Sequence, residues 1–145
     1  MRRLALLSLL LLPVAATAQE KQVIQMPGSS LGLPFSTAVR VGNVIYLSGQ
    51  VGVKPGTRDI VSGGVGAETR QVLENIKSIL AYAGSSMDRV VKCTVFLKDI
   101  ADYAAMNEVY ASFFPRDPPA RSTVAGSGIA LGARVEIECI ALAGR

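Results

Sequence analysis

The sequence predicts one domain of mixed α/β (α+β) class, a single sheet with two helices packed on one face. Its 145 residues suffice for one domain with a substantial core, and half of them are hydrophobic. Stretches with strand periodicity alternate with stretches of helical periodicity, in the order β-β-α-β-α-β-β. Two helices cannot cover both faces of such a sheet, so we expect the other face to meet water or a partner chain.

Two strands joined by a tight turn open the predicted fold. Residues 35–41 and 44–49 read as strands, and Gly42-Asn43 between them is a strong hairpin signal. Residues 51–66 are rich in glycine and are predicted to be a loop. Apolar residues then recur at helical spacing over residues 67–83, and Gly84 suits the C-terminal cap of that helix.

A strand and a second helix follow. Over residues 90–97 the predicted inner face of the strand comprises Val91, Cys93, Val95 and Leu97. Residues 101–114 form the helix, which Asp99 or Asp102 could cap. Its apolar stripe comprises Tyr103, Met106, Tyr110 and Phe113. On sequence grounds Asn107, one step off this stripe, is expected to be a surface polar residue.

The last two strands carry the candidate site. Arg121 opens the first of them, and a guanidinium offers a planar fork of donors that fits a carboxylate, although an arginine near a strand is usually structural. Residues 134–142 alternate strictly, which places Glu136 and Glu138 on the face opposite the helices. These residues indicate a site for a small anion and a water molecule.

The composition limits the available chemistry. The chain has no histidine, the commonest general base, and its two cysteines alone make no zinc site. We therefore expect no metal, and acid–base steps must use carboxylates, backbone groups, water, tyrosine or lysine. The net charge of +4 falls to +2 without Arg2 and Arg3, which we expect to be removed with a signal peptide. This small charge and the scattered basic residues indicate no nucleic-acid partner.

Residues 1–18 have the pattern of a secretory signal peptide. Arg2 and Arg3 precede an apolar run, and Ala16-Thr17-Ala18 supplies the small residues that a signal peptidase requires. The run is shorter than the ~20 residues of a membrane span, and an uncleaved anchor is the alternative. We expect a periplasmic or secreted protein without a membrane partner after cleavage, with residues 19–145 as its folded domain.

Six motifs carry a resemblance to a known family. In chain order they are LSGQ from residue 47, VKCTVFLKD from 91, MNEVY from 106, FF from 113, PARS from 119 and VEIE from 135. Their order and spacing resemble the RidA (YjgF-type) family of reactive enamine/imine deaminases. The match runs from about Gly32 to Leu142, which is nearly all of the expected mature chain.

The resemblance implies a chorismate-mutase-like fold, a homotrimer and active sites in clefts between subunits. It implies catalytic roles for Arg121 and Glu136. It implies substrate-binding roles for Phe35, Ser48, Gly49, Asn107 and Thr123. Two of these depart from the family pattern, because Phe35 stands where many members have tyrosine and Thr123 where deaminases often have cysteine.

The implied activity is hydrolytic deamination of 2-enamine and 2-imine acids to 2-keto acids and ammonia, without a cofactor because a protonated imine is already electrophilic. One alternative is a non-enzymatic trimer that binds small carboxylates in the same clefts. A ribonuclease or translation-inhibitor role is a second, against which stand the absent histidine and the scattered charge. A chaperone-like surface role is a third, for which the sequence offers no specific feature.

The two cysteines, Cys93 and Cys139, fall on the helix-facing side of their strands, which the resemblance makes neighbours. An oxidising compartment makes a disulfide conceivable, but the geometry of adjacent strands usually disfavours one. We expect two buried free thiols.

Overall fold

The residues that the structure describes form a seven-stranded sheet and two α-helices, with short 3₁₀ turns between them. The computed structural model describes residues 19–28, 32–126 and 128–144. The strands are β1 (Lys21–Ile24), β2 (Ala38–Val41), β3 (Val44–Leu47), β4 (Gln50–Val51), β5 (Val90–Leu97), β6 (Ala120–Ala125) and β7 (Val135–Leu142), and the helices are α1 (Gly64–Tyr82) and α2 (Tyr103–Phe113). The predicted signal peptide, residues 1–18, lies outside the described residues. Within those ranges, no helix is long and apolar enough to cross a bilayer.

Strand β7 lies inside the sheet, whose spatial order is β1-β2-β3-β7-β5-β6. Its antiparallel neighbours are β3 and the short β4 on one side and β5 on the other. Strand β6 runs parallel to β5 and forms one edge of the sheet. The sheet is therefore mixed, and both candidate catalytic strands, β6 and β7, flank β5.

One face of the sheet forms the core. Along β7 the alternating residues Val135, Ile137, Cys139 and Ala141 are all buried, together with apolar residues of α1 and α2. Tyr46 and Val124 remain about half exposed on the opposite face, at 47% and 53%. The predicted α+β class, with both helices on one face of a mixed sheet, is confirmed.

The strand predictions succeed where the side chains alternate. The hairpin at Gly42-Asn43 is confirmed, since Val41 pairs with Val44 across it. The strand over 90–97 is confirmed, but Val91 is 43% exposed because the register with β7 shifts between Val90 and Lys92. This irregularity turns Val90, rather than Val91, into the core.

Two extended segments were not predicted. Strand β1 lies beside β2, and its KQVI sequence has no clear alternation because most of its side chains are exposed. The region predicted as a loop, residues 51–66, begins with the end of β4, contains a bridge between Val53 and Ile60, and ends in the first residues of α1. Both segments are extended because their backbones pair with other segments, and the pattern of side chains in the sequence does not record that pairing.

Both helices occur where helical spacing predicted them, with shifted ends. Helix α1 begins three residues early, at Gly64, because burial of Val65 stabilises a first turn made of poor helix formers. Gly84 follows its end with a left-handed φ of 72°, as predicted. A single 3₁₀ turn precedes α2, and Asp99 caps that turn by accepting a hydrogen bond from the backbone N–H of Ala101 at 2.9 Å.

The expectation of free thiols is wrong, because Cys93 and Cys139 form a disulfide. The two residues are direct partners in the β5–β7 ladder, with Cα atoms 4.2 Å apart. Both side chains are buried on the helix-covered face. Close pairs in an antiparallel ladder bring Cα atoms to about 4.5 Å, so this particular register admits a bond that other registers exclude.

Candidate active site

Arg121 lies on the edge strand β6, and its side chain turns towards α2. Its register partner in β5 is Cys93, which is buried beneath the helices. The guanidinium lies over the ring of Tyr110, with Cζ 4.6 Å from the ring centroid. Its Nη2 donates a hydrogen bond to the hydroxyl of Tyr103 at 3.3 Å. A guanidinium held in this way is stabilised by the ring and keeps further N–H donors for an anion.

The pKa values of the two tyrosines beside Arg121 are shifted in opposite directions. Hydrogen bonding to Asn107 lowers the pKa of Tyr103, and the charge of Arg121 lowers it further. Burial raises the pKa of Tyr110 to about 12. Among the residues that the structure describes, the Tyr110 hydroxyl has no hydrogen-bond partner, so the ring face of Tyr110 is what supports Arg121.

Glu136 lies on β7 and points away from the helices. Its cross-strand partners are Val51 of β4 and Phe96 of β5. Burial raises the pKa of Glu136, and the nearby charge of Glu138 raises it further. A carboxylate in such surroundings is a stronger base than an exposed one. Across the described ranges, no group of three or more cysteine or acidic side chains could hold a metal ion.

The start of β7 is fixed from α1 and from the 3₁₀ turn before α2, which positions Glu136. The guanidinium of Arg134 forms a two-point ion pair with Asp102, at 2.7 and 3.0 Å. The backbone N–H of Arg134 donates to the carboxylate of Glu68, on α1, at 2.7 Å. Asp102 and Glu68 are both buried, and buried carboxylates of this kind need such partners. Glu136 follows two residues later on a strand whose entry is thereby defined.

A cleft of about 370 Å³ opens beside Glu136. Its other walls include Phe35, Gly49, Arg58 and Leu131. A Cβ added to Gly49 would collide with Oε1 of Glu136, so the backbone of Gly49 lies directly against the carboxylate. The cleft therefore combines one carboxylate with a close backbone wall and an aromatic side chain.

Of the residues implied on the Glu136 side, Phe35 and Gly49 line this cleft, and Phe35 is 48% exposed at it. Ser48 is tied elsewhere, because its hydroxyl donates to the backbone carbonyl of Ser36 at 2.7 Å. Its backbone N–H donates to the carbonyl of Thr37 at 3.1 Å. The structure thus places Ser48 as a brace for the chain on either side of the β2–β3 hairpin.

Asn107 and Thr123 lie on the Arg121 side. Asn107 is half-buried and hydrogen-bonds Tyr103, one helical turn before it on α2. Asn107 is therefore not a simple surface residue, as expected from the sequence alone, but interacts with Tyr103, which contacts Arg121. Thr123 is two residues beyond Arg121 on β6, shares its face of the strand and is also half-buried.

The implied site residues thus form two groups that the sheet separates. Arg121 shares a face with Cys93, which is covered by the helices, whereas Glu136 shares a face with Phe96, on the uncovered side. Arg121, Asn107 and Thr123 form one group, and Phe35, Gly49 and Glu136 form the other. Within one chain, Arg121 and Glu136 do not meet across one small ligand.

Tyr103 and Tyr110 are the neighbours of Arg121 that sequence reasoning assigned only to a core stripe. With Asn107 they follow the spacing i, i+4, i+7, which marks one face of a helix. That spacing was available in the sequence, but nothing in it indicated that β6 lies beside this face. Leu131, with a left-handed φ of 60°, lines the other cleft and had no sequence signal.

The fold and the motifs identify the family. A family model described as Endoribonuclease L-PSP matches residues 29–143, and several relatives carry RidA names. The chain belongs to this family, the RidA (YjgF-type) family, as its motifs indicated.

The relatives include proteins that are named as deaminases. Reactive Intermediate Deaminase A of Arabidopsis thaliana is 41% identical over 131 residues, which cover 90% of this chain and 70% of the plant protein. The human 2-iminobutanoate/2-iminopropanoate deaminase is 43% identical over 111 residues, covering 77% of this chain and 81% of the human protein. The crystal structure of RidA from an Antarctic Psychrobacter has a TM-score of 0.78 and 40% identity, covering 83% of this chain and 98% of that one.

Proposed function

We propose that this protein is an exported deaminase that hydrolyses 2-imino and 2-enamine acids to 2-keto acids and ammonia. The observation that carries the proposal is Glu136, a partly buried carboxylate with a raised pKa that lies in a cleft against the backbone of Gly49. A base held in this way can activate one water molecule beside a small substrate. The name of the human relative supplies the substrate class, and the name of the plant relative supplies deamination.

The reaction needs one site for a carboxylate and one for a water. Arg121 binds the substrate carboxylate through its N–H donors. Glu136 takes a proton from water as the oxygen attacks the carbon of the protonated imine, and returns that proton to the nitrogen of the resulting carbinolamine. As the C–N bond breaks, the hydroxyl of the carbinolamine becomes the keto group, and the proton that it loses is taken up by the departing ammonia. One water is consumed, and one 2-keto acid and one ammonium ion are formed. Positioning alone accounts for much of the acceleration, because the imine is already electrophilic.

The division of the site is the argument for an assembly of several chains, and the family resemblance supplies the number three. Arg121 and Glu136 lie on opposite faces of the sheet, so a complete site needs Arg121 from one chain and Glu136 from another. Exposed Tyr46 and Val124 on the uncovered face offer apolar surface for such contacts. A closed ring of three identical chains forms three equivalent sites in this way.

Export rests on the first 18 residues, whose charged, apolar and small-residue segments follow signal-peptide order. We place the mature protein in a periplasm or outside the cell, with residue 19 as its first.

Purified residues 19–145 test the proposal when they are supplied with 2-iminobutanoate that an amino-acid oxidase or dehydratase generates in place. Keto-acid release should be accelerated. Arg121→Ala and Glu136→Gln should each lower kcat/KM about 100-fold or more, because each removes a charged contact to the substrate or the base. Arg70→Ala, an exposed arginine of α1, is the matched control and should retain full activity.

Unchanged turnover in Arg121→Ala would contradict this mechanism. Binding of 2-ketobutyrate by a folded protein without turnover would favour the alternative, a non-enzymatic trimer that binds small carboxylates. In that case Phe35→Tyr and Thr123→Cys, the two departures from the family pattern, are the first reversions to assay.

A further inference from the structure

Tyr103 contacts Arg121 at the first residue of α2. The Arg121 Nη2 donates to its hydroxyl oxygen at 3.3 Å, and Cζ lies 5.7 Å from the centroid of its ring. The residue is 40% exposed, so packing in the core does not account for its presence at this position. The hydroxyl of Tyr103 instead makes a polar contact with Arg121, the candidate carboxylate-binding residue.

The same hydroxyl also joins Arg121 to Asn107. Asn107 follows Tyr103 by one helical turn and hydrogen-bonds it, and both this bond and the Arg121 charge lower the pKa of Tyr103. Both neighbours thus act on the phenol oxygen as donors, because a donor to that oxygen stabilises its ionised form. The hydroxyl oxygen of Tyr103 therefore interacts with both Arg121 and Asn107, two side chains that the resemblance places in the substrate site.

The ring of Tyr110 restrains Arg121 from a second direction. With Cζ 4.6 Å from its centroid, this ring fixes the plane of the guanidinium but leaves rotation within that plane possible. A hydrogen bond to one terminal nitrogen removes this freedom. The stack and the hydrogen bond together define which edge of the guanidinium faces outwards.

We propose that Tyr103 is a positioning residue, whose hydroxyl holds Arg121 and Asn107 in the orientation that receives the substrate carboxylate. The inference rests on the proposed function and adds a residue to its site. Tyr103 acts through Arg121, so its loss weakens ligand binding more than it slows the chemical step. Phenylalanine at this position would keep the ring and lose the hydroxyl, which isolates the effect.

Steady-state kinetics with 2-iminobutanoate compare the wild type, Tyr103→Phe and the matched control Tyr82→Phe, an exposed tyrosine at the end of α1. Tyr103→Phe should raise KM about fivefold, the effect of one ordinary hydrogen bond, with kcat within about twofold. Tyr82→Phe should change neither constant. An unchanged KM in Tyr103→Phe, or an equal change in the control, overturns the proposal.

A second measurement requires no turnover. The chain has four tyrosines and no tryptophan, so ionisation of single tyrosines can be followed by ultraviolet absorbance. The difference between the titrations with and without Tyr103→Phe reports the ionisation of Tyr103, and this difference should move to higher pH when Arg121 is replaced by glutamine. A difference titration that Arg121→Gln leaves unmoved overturns the proposal even if the protein is an active deaminase.

The two proposals can fail separately. A wild type that turns over no imine would refute the deaminase, and the affinity for 2-ketobutyrate then replaces KM as the readout. A fivefold weaker affinity in Tyr103→Phe supports the positioning role, and an unchanged affinity refutes it.

Discussion

The side chain of Glu136 occupies the space that a Cβ at position 49 would need. The Cδ and Cγ atoms of Glu136 would lie 2.9 and 3.2 Å from an added Cβ. The backbone conformation of Gly49 is not left-handed, so the requirement for glycine here comes from the neighbouring carboxylate. A substitution at this position therefore acts on the position of the base.

Gly49→Ala should lower kcat/KM about 10- to 100-fold, because small displacements of a catalytic group are costly. The free energy of unfolding should fall by only about 1 kcal/mol, since the atoms displaced are the mobile end of a glutamate. Deaminase assays and urea unfolding of the same preparation measure the two effects.

Gly66→Ala is the control for this substitution. Gly66 lies in α1, and its added Cβ would meet only Val109 at an ordinary 3.8 Å. Stability should rise slightly, since alanine favours a helix, and activity should not change. Equal activity in Gly49→Ala and the wild type would contradict the assignment of Glu136 as the base.

At the scale of residues, the sequence predicted which face of a strand a side chain occupies better than it predicted which residues are in contact. Alternation along residues 134–142 correctly turned Glu136 away from the helices, because strand periodicity is a property of consecutive residues. The contact of Tyr103 with Arg121 joins residues 18 positions apart, and no local pattern records it. Arg121 itself was visible as a candidate, but the face it uses was not.

At the scale of elements, the disulfide lies near the middle of the antiparallel ladder between β5 and β7. It links β5 to β7, encloses a separation of 46 residues and lies on the face that the helices cover. A crosslink of this kind chiefly restricts the unfolded chain. It therefore stabilises the sheet beside Arg121, the register partner of Cys93 in the β5–β6 ladder.

Reduction should lower the free energy of unfolding by about 2–4 kcal/mol. Urea unfolding with and without dithiothreitol measures this difference. The double variant Cys93→Ala, Cys139→Ala provides the control, since the chain has only these two cysteines and the variant should be insensitive to reductant. Two reactive thiols counted in the denatured, unreduced protein would refute the disulfide.

Secondary-structure elements were predicted correctly where the hydrophobic periodicity is strong, and were missed where they depend on pairing with a neighbouring strand. Strand β5 and both helices were located from side-chain pattern alone. Strand β1 was missed, and so was the disulfide, because both depend on the register of a neighbouring strand. The early start of α1 follows from burial of Val65, which glycine-rich sequence obscures.

At the scale of the molecule, the separation of Arg121 from Glu136 makes a direct test of assembly possible. Arg121→Ala chains keep Glu136, and Glu136→Gln chains keep Arg121. If each site combines one residue from each of two chains, mixed oligomers contain some intact sites. Random mixing in equal amounts should restore about one quarter of the wild-type activity in the whole mixture, because each of the two required residues is intact in half of the chains. In trimers that contain both variants the value should be about one third, because such a ring has one interface of three at which both residues are intact.

The mixture is prepared by co-expression with two different affinity tags, and doubly tagged oligomers are assayed. Each variant co-expressed with a differently tagged copy of itself is the control and should stay inactive. Doubly tagged mixed oligomers that are no more active than these controls would place both residues of a site on one chain, against the proposed arrangement.

If Glu136 is the base and Arg121 binds the carboxylate, their places on opposite faces of the sheet make the activity depend on the concentration of chains. Under the proposed assembly, a newly synthesised chain is inactive until it associates with its neighbours. Dilution below the dissociation constant of the oligomer then removes the activity. The abundance of the protein would thus set both the number of sites and whether there are any.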